Sequence, residues 1–398
     1  MAKNPKLKRV SLGRYTDEVN HRNQNKTDLS VCSVTNNQGI VYSETRFKKQ
    51  VFSKNLSKYK IIAPDEIAYN PSRVNVGSIA INAMDEEVLL SPMYVIVKCH
   101  NEILPKFLLY FLKSTEGKNR IKHLTQGSVR DSLSYKNFEK IEIFLPSVPI
   151  QEKMIQIIEQ VMDLQKKRIQ SLNILNKLTM STFFKIFGDP EKNISKWTST
   201  SLDKLLIGKP VHGKSLEGSK VNLEQIGVPL LKLSALTDFG IDPTNIKFYD
   251  ENKKNLDMNF LQKNDILISR SNTLELVGRS GRYSNDPSFC LVPDLMIKVR
   301  PDPDKINPVF LEYFLRTHKV RNFYRSRARG TSGSMKKISN KDISNTEILI
   351  PDDSLQVKFS KIIEKIDETK SKMIKHNQIL TKQIDSIKIK IYRGHMVN

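Results

Sequence analysis

The chain repeats itself at long range, and that repeat limits what it can fold into. Ile103–Ser114 (ILPKFLLYFLKS) returns as Ile306–Thr317 (INPVFLEYFLRT). Pro105, Phe107, Tyr110, Phe111 and Leu112 are matched by Pro308, Phe310, Tyr313, Phe314 and Leu315, each 203 positions on. Phe144–Ile158 (FLPSVPIQEKMIQII) returns as Leu349–Ile363 (LIPDDSLQVKFSKII) after 205 positions, pairing Pro146, Gln151, Ile157 and Ile158 with Pro351, Gln356, Ile362 and Ile363. A shorter match lays Pro64–Ile67 (PDEI) on Asn264–Leu267 (NDIL), with Asp65 on Asp265. Three matches in one order at nearly one spacing indicate a duplicated unit of domain size, because solenoid repeats have periods of about 20–50 residues.

At 398 residues the chain has room for two or more domains with their own cores. With 38% hydrophobic and 27% charged residues it reads as a soluble globular protein. It lacks an apolar run of about 18 residues, so no membrane span is expected. The start, MAKNPKLKRVSLG, is basic without an apolar segment, so no secretory signal is expected. Cys32, Cys99 and Cys290 are too few and too far apart for a disulfide framework or a CxxC metal site, which points to the reducing cytoplasm. The net charge of +23, with a pI near 9.7, asks for a polyanionic partner. Nucleic acid is the default one, although a Lys-rich proteome from an AT-rich genome also yields basic chains. Arg316–Arg329 (RTHKVRNFYRSRAR) favours the polyanion, since it interleaves arginines with Phe323 and Tyr324.

Each repeat divides into a mixed globular segment and a long helix. The globular segments carry short strand-like runs (IAYN, GSIAIN, YVIVK, DILIS, LMIKV) bounded by Pro, Gly and Asn, and one amphipathic helix opening at Pro105 or Pro308. In the second long helix Phe359, Ile362, Ile366, Thr369, Met373, His376, Leu380, Ile384, Ile387 and Ile391 recur mostly by three and four, the spacing of a heptad seam. In the first, Met154, Ile157, Val161, Leu164, Leu172, Leu175 and Leu178 give a similar stripe. Asp353 and Gln356 have capping-box spacing, and Gly188, Asp189 and Pro190 end the first helix. A helix of roughly 36 residues is about 54 Å long, and one so apolar along a stripe needs a partner. The simplest partner is its duplicate, packed antiparallel; two independent helices capping two cores is the alternative. The expected fold is α+β: two similar α/β globular domains separated by a long antiparallel two-helix coiled coil, with a pseudo-two-fold internal repeat. Its expected divisions are 1–147, 148–188 (first helix), 189–351 and 352–398 (second helix).

Gly208–Ser215 (GKPVHGKS) literally matches the phosphate-binding loop GxxxxGK[ST], which would make Lys214 a phosphate ligand and Ser215 a magnesium ligand. That chemistry needs a helix directly after the loop, its N-terminus facing the phosphates. Gly218 and an aperiodic polar run make such a helix poor, so a basic loop able to touch DNA backbone is the better reading. The seven histidines have no HExxH or other ligand spacing. The Asp352–Asp353 pair suits a helix N-terminus better than a nuclease site.

A globular unit followed by an LPxxxxQ…II helix, present twice, resembles the specificity (S) subunit of type I restriction-modification systems. Leu145, Pro146, Gln151, Ile157 and Ile158 carry the pattern first, and Ile350, Pro351, Gln356, Ile362 and Ile363 carry it again. Phe183–Trp197 (FFKIFGDPEKNISKW) and the turns at Gly127 and Gly330 also look like the family's. The resemblance implies that each globular unit is a target recognition domain reading one half of a bipartite, asymmetric double-stranded DNA site. The helices would fix the gap and dock two methyltransferase (M) subunits, through which motor-nuclease (R) subunits join, in a cytoplasmic complex that defends against foreign DNA. S-adenosylmethionine, ATP and magnesium would then sit on the partner subunits, with no cofactor, metal, membrane or small-molecule substrate bound by this chain and no catalytic residues in it. Consistently, Asn70–Arg73 is NPSR, without the aromatic residue that stacks a flipped adenine in NPPY-type methyltransferases. A methylation-only or other defence system, or a basic coiled-coil scaffold for nucleic acid, are the alternatives.

Phosphate contacts position a protein, whereas Arg on guanine and Asn or Gln on adenine read sequence. The candidate DNA contacts are the loop side chains at matching places in the two units. In the first these are Asn70, Arg73, Asn75, Gln126, Ser128 and Arg130. In the second they are Arg270, Asn272, Arg279, Arg282, Arg327, Arg329, Ser332, Lys336 and Lys337. The residues expected to pack the helices together are Met154, Ile157, Val161, Leu164, Leu172 and Leu175 against Phe359, Ile362, Ile366, Met373, Leu380 and Ile387. Because GSVRDSLS at 127–134 stands where GTSGSMKKIS stands at 330–339, two different half-sites are expected.

Overall fold

The computed structural model describes residues 9–25, 28–46, 53, 55–125, 132–193, 195–213, 228–237, 240–242, 245–249, 260–284, 290–330 and 335–392. The chain forms two compact units, Met1–Arg168 with Ile374–Asn398, and Ile169–Met373.

The first unit is built on an antiparallel sheet of β1 (Thr16–Val19), β2 (Ile67–Tyr69), β3 (Ile79–Ile81) and β4 (Val95–Cys99), in the order β1-β4-β2-β3. The central β2 is buried at every residue, as a strand covered on both faces must be. One side packs on α1 (Pro105–Lys113) and α2 (Thr115–Thr125), burying Phe107, Leu108, Phe111, Leu112 and Ile121 with Tyr69 and Val97. The other side packs on Ile62, Val88 and Leu90. Pro105 opens α1 at its first turn, where a missing N–H costs nothing. The long helix α3 (Val148–Phe187) follows and ends at Gly188, whose φ of +70° is the left-handed geometry glycine adopts cheaply.

The second unit has the same sheet plan. Its strands are β5 (Val211–His212), β6 (Ile266–Ser269), β8 (Ser280–Arg282) and β9 (Met296–Val299), in the order β5-β9-β6-β8; β7 (Ser271–Asn272) stands apart. The helices α4 (Pro308–Leu315) and α5 (His318–Arg327) cover it, and the short strand β10 (Lys336–Lys337) and the long helix α6 (Asp353–Tyr392) follow. Both units tie their first strand to the one before the long helix: Arg9–Ser11 pairs with Glu142–Phe144, and Thr198–Ser201 with Glu347–Ile350. The strand registers correct one expected match. Ile67 sits between Ile81 and Val97, and Ile266 between Arg282 and Val299, so Ile67 answers to Ile266. Glu66 therefore answers to Asp265, and each carboxylate accepts the amide three residues before it, from Ala63 and Gln262. Matching letters had slipped the alignment by one.

Gln151 and Gln356 do the same work in their units. Gln151 Oε1 accepts from Leu104 N at 2.9 Å while its Nε2 donates to Pro146 O at 2.8 Å. Gln356 Oε1 accepts from Asn307 N at 3.0 Å while its Nε2 donates to Pro351 O at 2.8 Å. Each buried carboxamide thus ties the start of a long helix to the start of the short helix of its unit. The capping box expected of Asp353 and Gln356 does not form in the expected way, because Gln356 spends its acceptor on Asn307.

The long helices meet within each unit. In the first, Met154 shares a core with Tyr392, and Gln165 Nε2 donates to Thr381 Oγ1 at 2.9 Å, so the two helix segments run antiparallel. In the second, Phe359 meets Phe183 and Phe187 with ring centroids 5.6 and 5.3 Å apart. The buried line lies beside the stripe read from the apolar residues. Met154 and Phe359 are buried, and Val161, Leu172, Leu175, Ile362, Ile366, Met373, Leu380 and Ile387 are half-buried. Ile157, Leu164 and Leu178 instead face solvent at 37%, 40% and 48% exposure, as do Thr369 and His376. Their places are taken by Ile158, Gln165, Asn176, Thr179, Ile363, Lys370 and Asn377. The line is partly polar, with hydrogen bonds such as Gln165–Thr381 across it, and a search for apolar spacing misses such a line.

Candidate nucleic-acid interface

In the second unit one strand pair gathers side chains from two distant stretches. β7 pairs with β10, setting Ser271 opposite Lys337 and Asn272 opposite Lys336. Lys337 N donates to Arg329 O at 2.8 Å, and Ile338 N to Arg270 O at 3.0 Å. Arg270, Asn272, Arg329, Lys336 and Lys337 therefore share one small platform. Its groups are braced: Arg270 Nη1 donates to Asp294 O at 3.4 Å, Asn272 Oδ1 accepts Thr273 N at 2.9 Å, and Lys336 Nζ donates to Gly330 O at 2.6 Å. The turn beyond β7 is held by α5, where Arg321 Nη2 and Arg325 Nη2 donate to Glu275 O at 2.6 and 3.3 Å. Arg327 is exposed at the end of α5, its guanidinium 5.6 Å from the centre of the Phe323 ring.

The first unit offers a matching turn. Asn70 N donates to Ser78 O at 3.0 Å, Asn70 Oδ1 accepts Ser72 N at 3.0 Å, and the turn closes at Gly77 with φ of +98°. Arg73 and Asn75 are exposed at its tip. Leu133 N donates to Pro71 O at 3.0 Å, tying the segment after α2 to this turn. Gln126, Ser128 and Arg130 of that segment, and Ser332 in the second unit, lie outside the described residues.

Two candidates belong elsewhere. Arg282 has a side chain only 8% exposed, with Nε 3.2 Å from Glu312 Oε2 and Nη2 3.5 Å from Asp367 Oδ2. It is an internal ion-pair residue and not the exposed DNA contact expected of it, since a guanidinium held by two carboxylates has no edge left for a base. Arg279 lines a cavity of about 240 Å³ away from the β7–β10 platform, with Arg316, Thr317, His318 and Arg321 against Met180 and Phe184 of α3. Two lysines are likewise internal: Lys60 Nζ donates to Tyr94 O at 2.9 Å and Lys298 Nζ to Phe260 O at 3.1 Å, and burial lowers both ammonium pKa values.

Exposed apolar side chains at the turns escaped the sequence reading. Val76 (61%) lies in the turn that closes at Gly77, and Met93 (58%) stands beside Asn70, whose Nδ2 lies 3.6 Å from Met93 Sδ. Leu274 (49%) and Met335 (50%) stand in the second unit, with Ser271 Oγ 3.6 Å from Met335 Sδ. Their only signal in sequence was an apolar letter inside a polar turn.

The loop-like match at 208–215 does not wrap as a phosphate cradle does. Val211 and His212 form the edge strand β5, paired with Lys298 and Ile297, and Gly213 lies against the backbone of Val292 and Pro293 with no room for a Cβ. Lys214 and Ser215 lie outside the described residues. Among the described residues no cluster of His, Cys, Asp and Glu could hold a metal ion, and no helix is long and apolar enough to cross a membrane.

The model of the type I restriction modification DNA specificity domain matches twice, over residues 14–174 and 212–384, and the chain belongs to that family. It is 27% identical over 330 residues to the EcoKI specificity subunit of Escherichia coli K12, covering 79% of this chain and 70% of that one. It is 24% identical over 369 residues to the StySPI specificity subunit of Salmonella potsdam, covering 86% of this chain and 77% of that one. Among solved structures it resembles a chain from a type I restriction-modification system described for its complex assembly and conformational transition (17% identity, 99% of both chains, TM-score 0.57). It also resembles the S subunit of M. genitalium (16% identity, 98% of both chains, TM-score 0.51).

Proposed function

We propose that the chain is the DNA-reading subunit of a type I restriction-modification complex, with residues 1–147 and 189–351 each reading one half of a bipartite, asymmetric site. The observation that carries this is the pair of platforms in sheets of one plan. Asn70, Arg73 and Asn75 stand at one; Arg270, Asn272, Arg329, Lys336 and Lys337 stand at the other. They occupy one place in the sheet order but differ in chemistry, as readers of two unlike sequences must. Arg327 and Arg329 supply phosphate contacts, and Met93 and Met335 the apolar contact that a thymine methyl accepts.

The helices at 148–188 and 352–398 act as the spacer between readers. Their outward apolar residues, Ile157, Met162, Leu164, Ile169, Ile174 and Leu178 on α3 with Ile374 and Ile379 on α6, are the ground on which two methyltransferase subunits dock. S-adenosylmethionine, ATP and magnesium belong to those subunits and to the motor-nuclease subunits they bring, and this chain contributes no catalytic group. The complex works in the cytoplasm on double-stranded DNA.

Methylation mapping of genomic DNA from cells with and without the gene tests the proposal. The expected result is a gapped, two-part adenine motif that disappears on deletion. An unchanged methylation map in cells that express the partner subunits would refute it.

A further inference from the structure

The two units are fastened differently to their long helices, and the difference lies at equivalent positions. In the second unit Arg282 of β8 and Glu312 of α4 pair at 3.2 Å with 8% and 7% of their side chains exposed. Arg282 also reaches Asp367 of α6 at 3.5 Å, and its Nη1 donates to Asn264 Oδ1 at 2.9 Å. Asp367 in turn holds Lys370 at 3.3 Å, and Glu312 faces Arg316 at 3.7 Å. This one cluster joins sheet, short helix and long helix within the unit. In the first unit β3 takes the place of β8, and the registers set Ile81 where Arg282 stands. The 203-residue repeat sets Leu109 where Glu312 stands. The repeat fixed by Gln151 and Gln356 sets Met162, exposed at 48%, where Asp367 stands. Ile81 and Leu109 join an ordinary apolar core.

An apolar contact is non-directional and tolerates sliding, whereas paired buried charges tolerate one geometry, because any slip leaves a charge desolvated and unpaired. We infer that Arg282, Glu312 and Asp367 are positioning residues that hold the second recognition unit at one angle on α6; among the described residues the first unit has in place of this buried cluster only the exposed pair Lys106–Glu159 between α1 and α3. Resting on the bipartite reading above, the consequence is that this cluster sharpens the choice of gap between the half-sites without touching DNA.

The test uses the full chain assembled with its methyltransferase subunits. The variant Arg282→Ile with Glu312→Leu copies the apolar pair of the first unit. Asp367→Asn, at a side chain still 35% exposed, is the milder change should the double variant fold poorly. Two readouts are taken. The first is the distribution of distances between spin labels at Lys263→Cys and Lys372→Cys, exposed residues of this unit lining the groove beside Arg282, with Cys32, Cys99 and Cys290 replaced by Ala. The second is methylation of duplexes carrying the mapped half-sites at the native gap and one base pair longer or shorter.

The expected outcome is a broadened distance distribution and a preference for the native gap reduced by about tenfold, with affinity for the native site within about twofold. An unchanged distribution in both variants overturns the inference. So does a general loss of affinity with a shallower salt dependence, which would mark Arg282 as a phosphate contact. A broadened distribution in a complex that modifies no gapped site would uphold the positioning role and sink the bipartite reading instead.

Discussion

Arg270 and Arg282 are both arginines at strand ends of the second unit, and the sequence offers no reason to separate them. Arg270 sits on the β7–β10 platform, lightly braced by one carbonyl. Arg282 is buried between two carboxylates. Arg270→Ala should weaken binding to the cognate duplex by about 1–3 kcal/mol and relax preference at one position of one half-site, measured by competition with single-base variants. Equal affinity of the variant and parent for the cognate duplex at physiological salt would remove Arg270 from the interface. The cysteines make a second residue-scale prediction. Burial pushes the thiol of Cys32 up to about 11 and those of Cys99 and Cys290 up to about 12. A raised pKa keeps the thiol protonated, and only the thiolate is nucleophilic. Alkylation by iodoacetamide at pH 8 should therefore be slower in the native chain than in the unfolded chain by about a hundredfold or more, and should speed up only as pH climbs towards those values. Equal rates by mass spectrometry would contradict this.

Among the elements, the long helices depend on how they begin. The Gln356 carboxamide is buried and joins Pro351 O to Asn307 N across two helix starts. Gln356→Ala should leave both backbone groups without their partner and destabilise the second unit by about 1–3 kcal/mol in chemical denaturation. Gln356→Glu restores the acceptor but not the donor and should recover only part of that loss. A wild-type midpoint for both variants would show that the latch is idle. Much at this scale was legible in the sequence. Proline at the start of α1 and α4, the strand-like runs IAYN and DILIS, and the Gly188 stop all mark local backbone preferences that hold in any context. The line of contact along α3 was not legible, because a polar residue such as Gln165 belongs to it only where a hydrogen-bond partner happens to face it. Ile157 and Leu164 carry the right letters at a spacing one residue off.

For the whole molecule, the charge of +23 fits the proposed DNA partner, whose own charge is dense and negative. If each platform is flanked by phosphate contacts, the affinity of the assembled complex for its site should fall steeply with salt. About 6–10 such contacts predict a log–log slope of roughly −5 to −9 between 50 and 200 mM salt. Titration by fluorescence anisotropy measures it, and a slope shallower than about −2 would place the basic residues away from the duplex.

By itself the sequence determined that the chain is doubled, that each copy pairs a mixed α/β unit with a long helix, and which turns carry polar and basic side chains. These follow from periodicity, from proline and glycine stereochemistry, and from charge, all of which act along the chain. The tertiary structure alone decided which arginine is half-exposed on the β7–β10 platform and which is sealed among carboxylates, which residues line the helix contact, and that Glu66 rather than Asp65 answers to Asp265. Those outcomes depend on what faces a side chain across space. Burial can turn one guanidinium into an internal brace while another stays partly exposed, and nothing in their own stretch of sequence tells them apart.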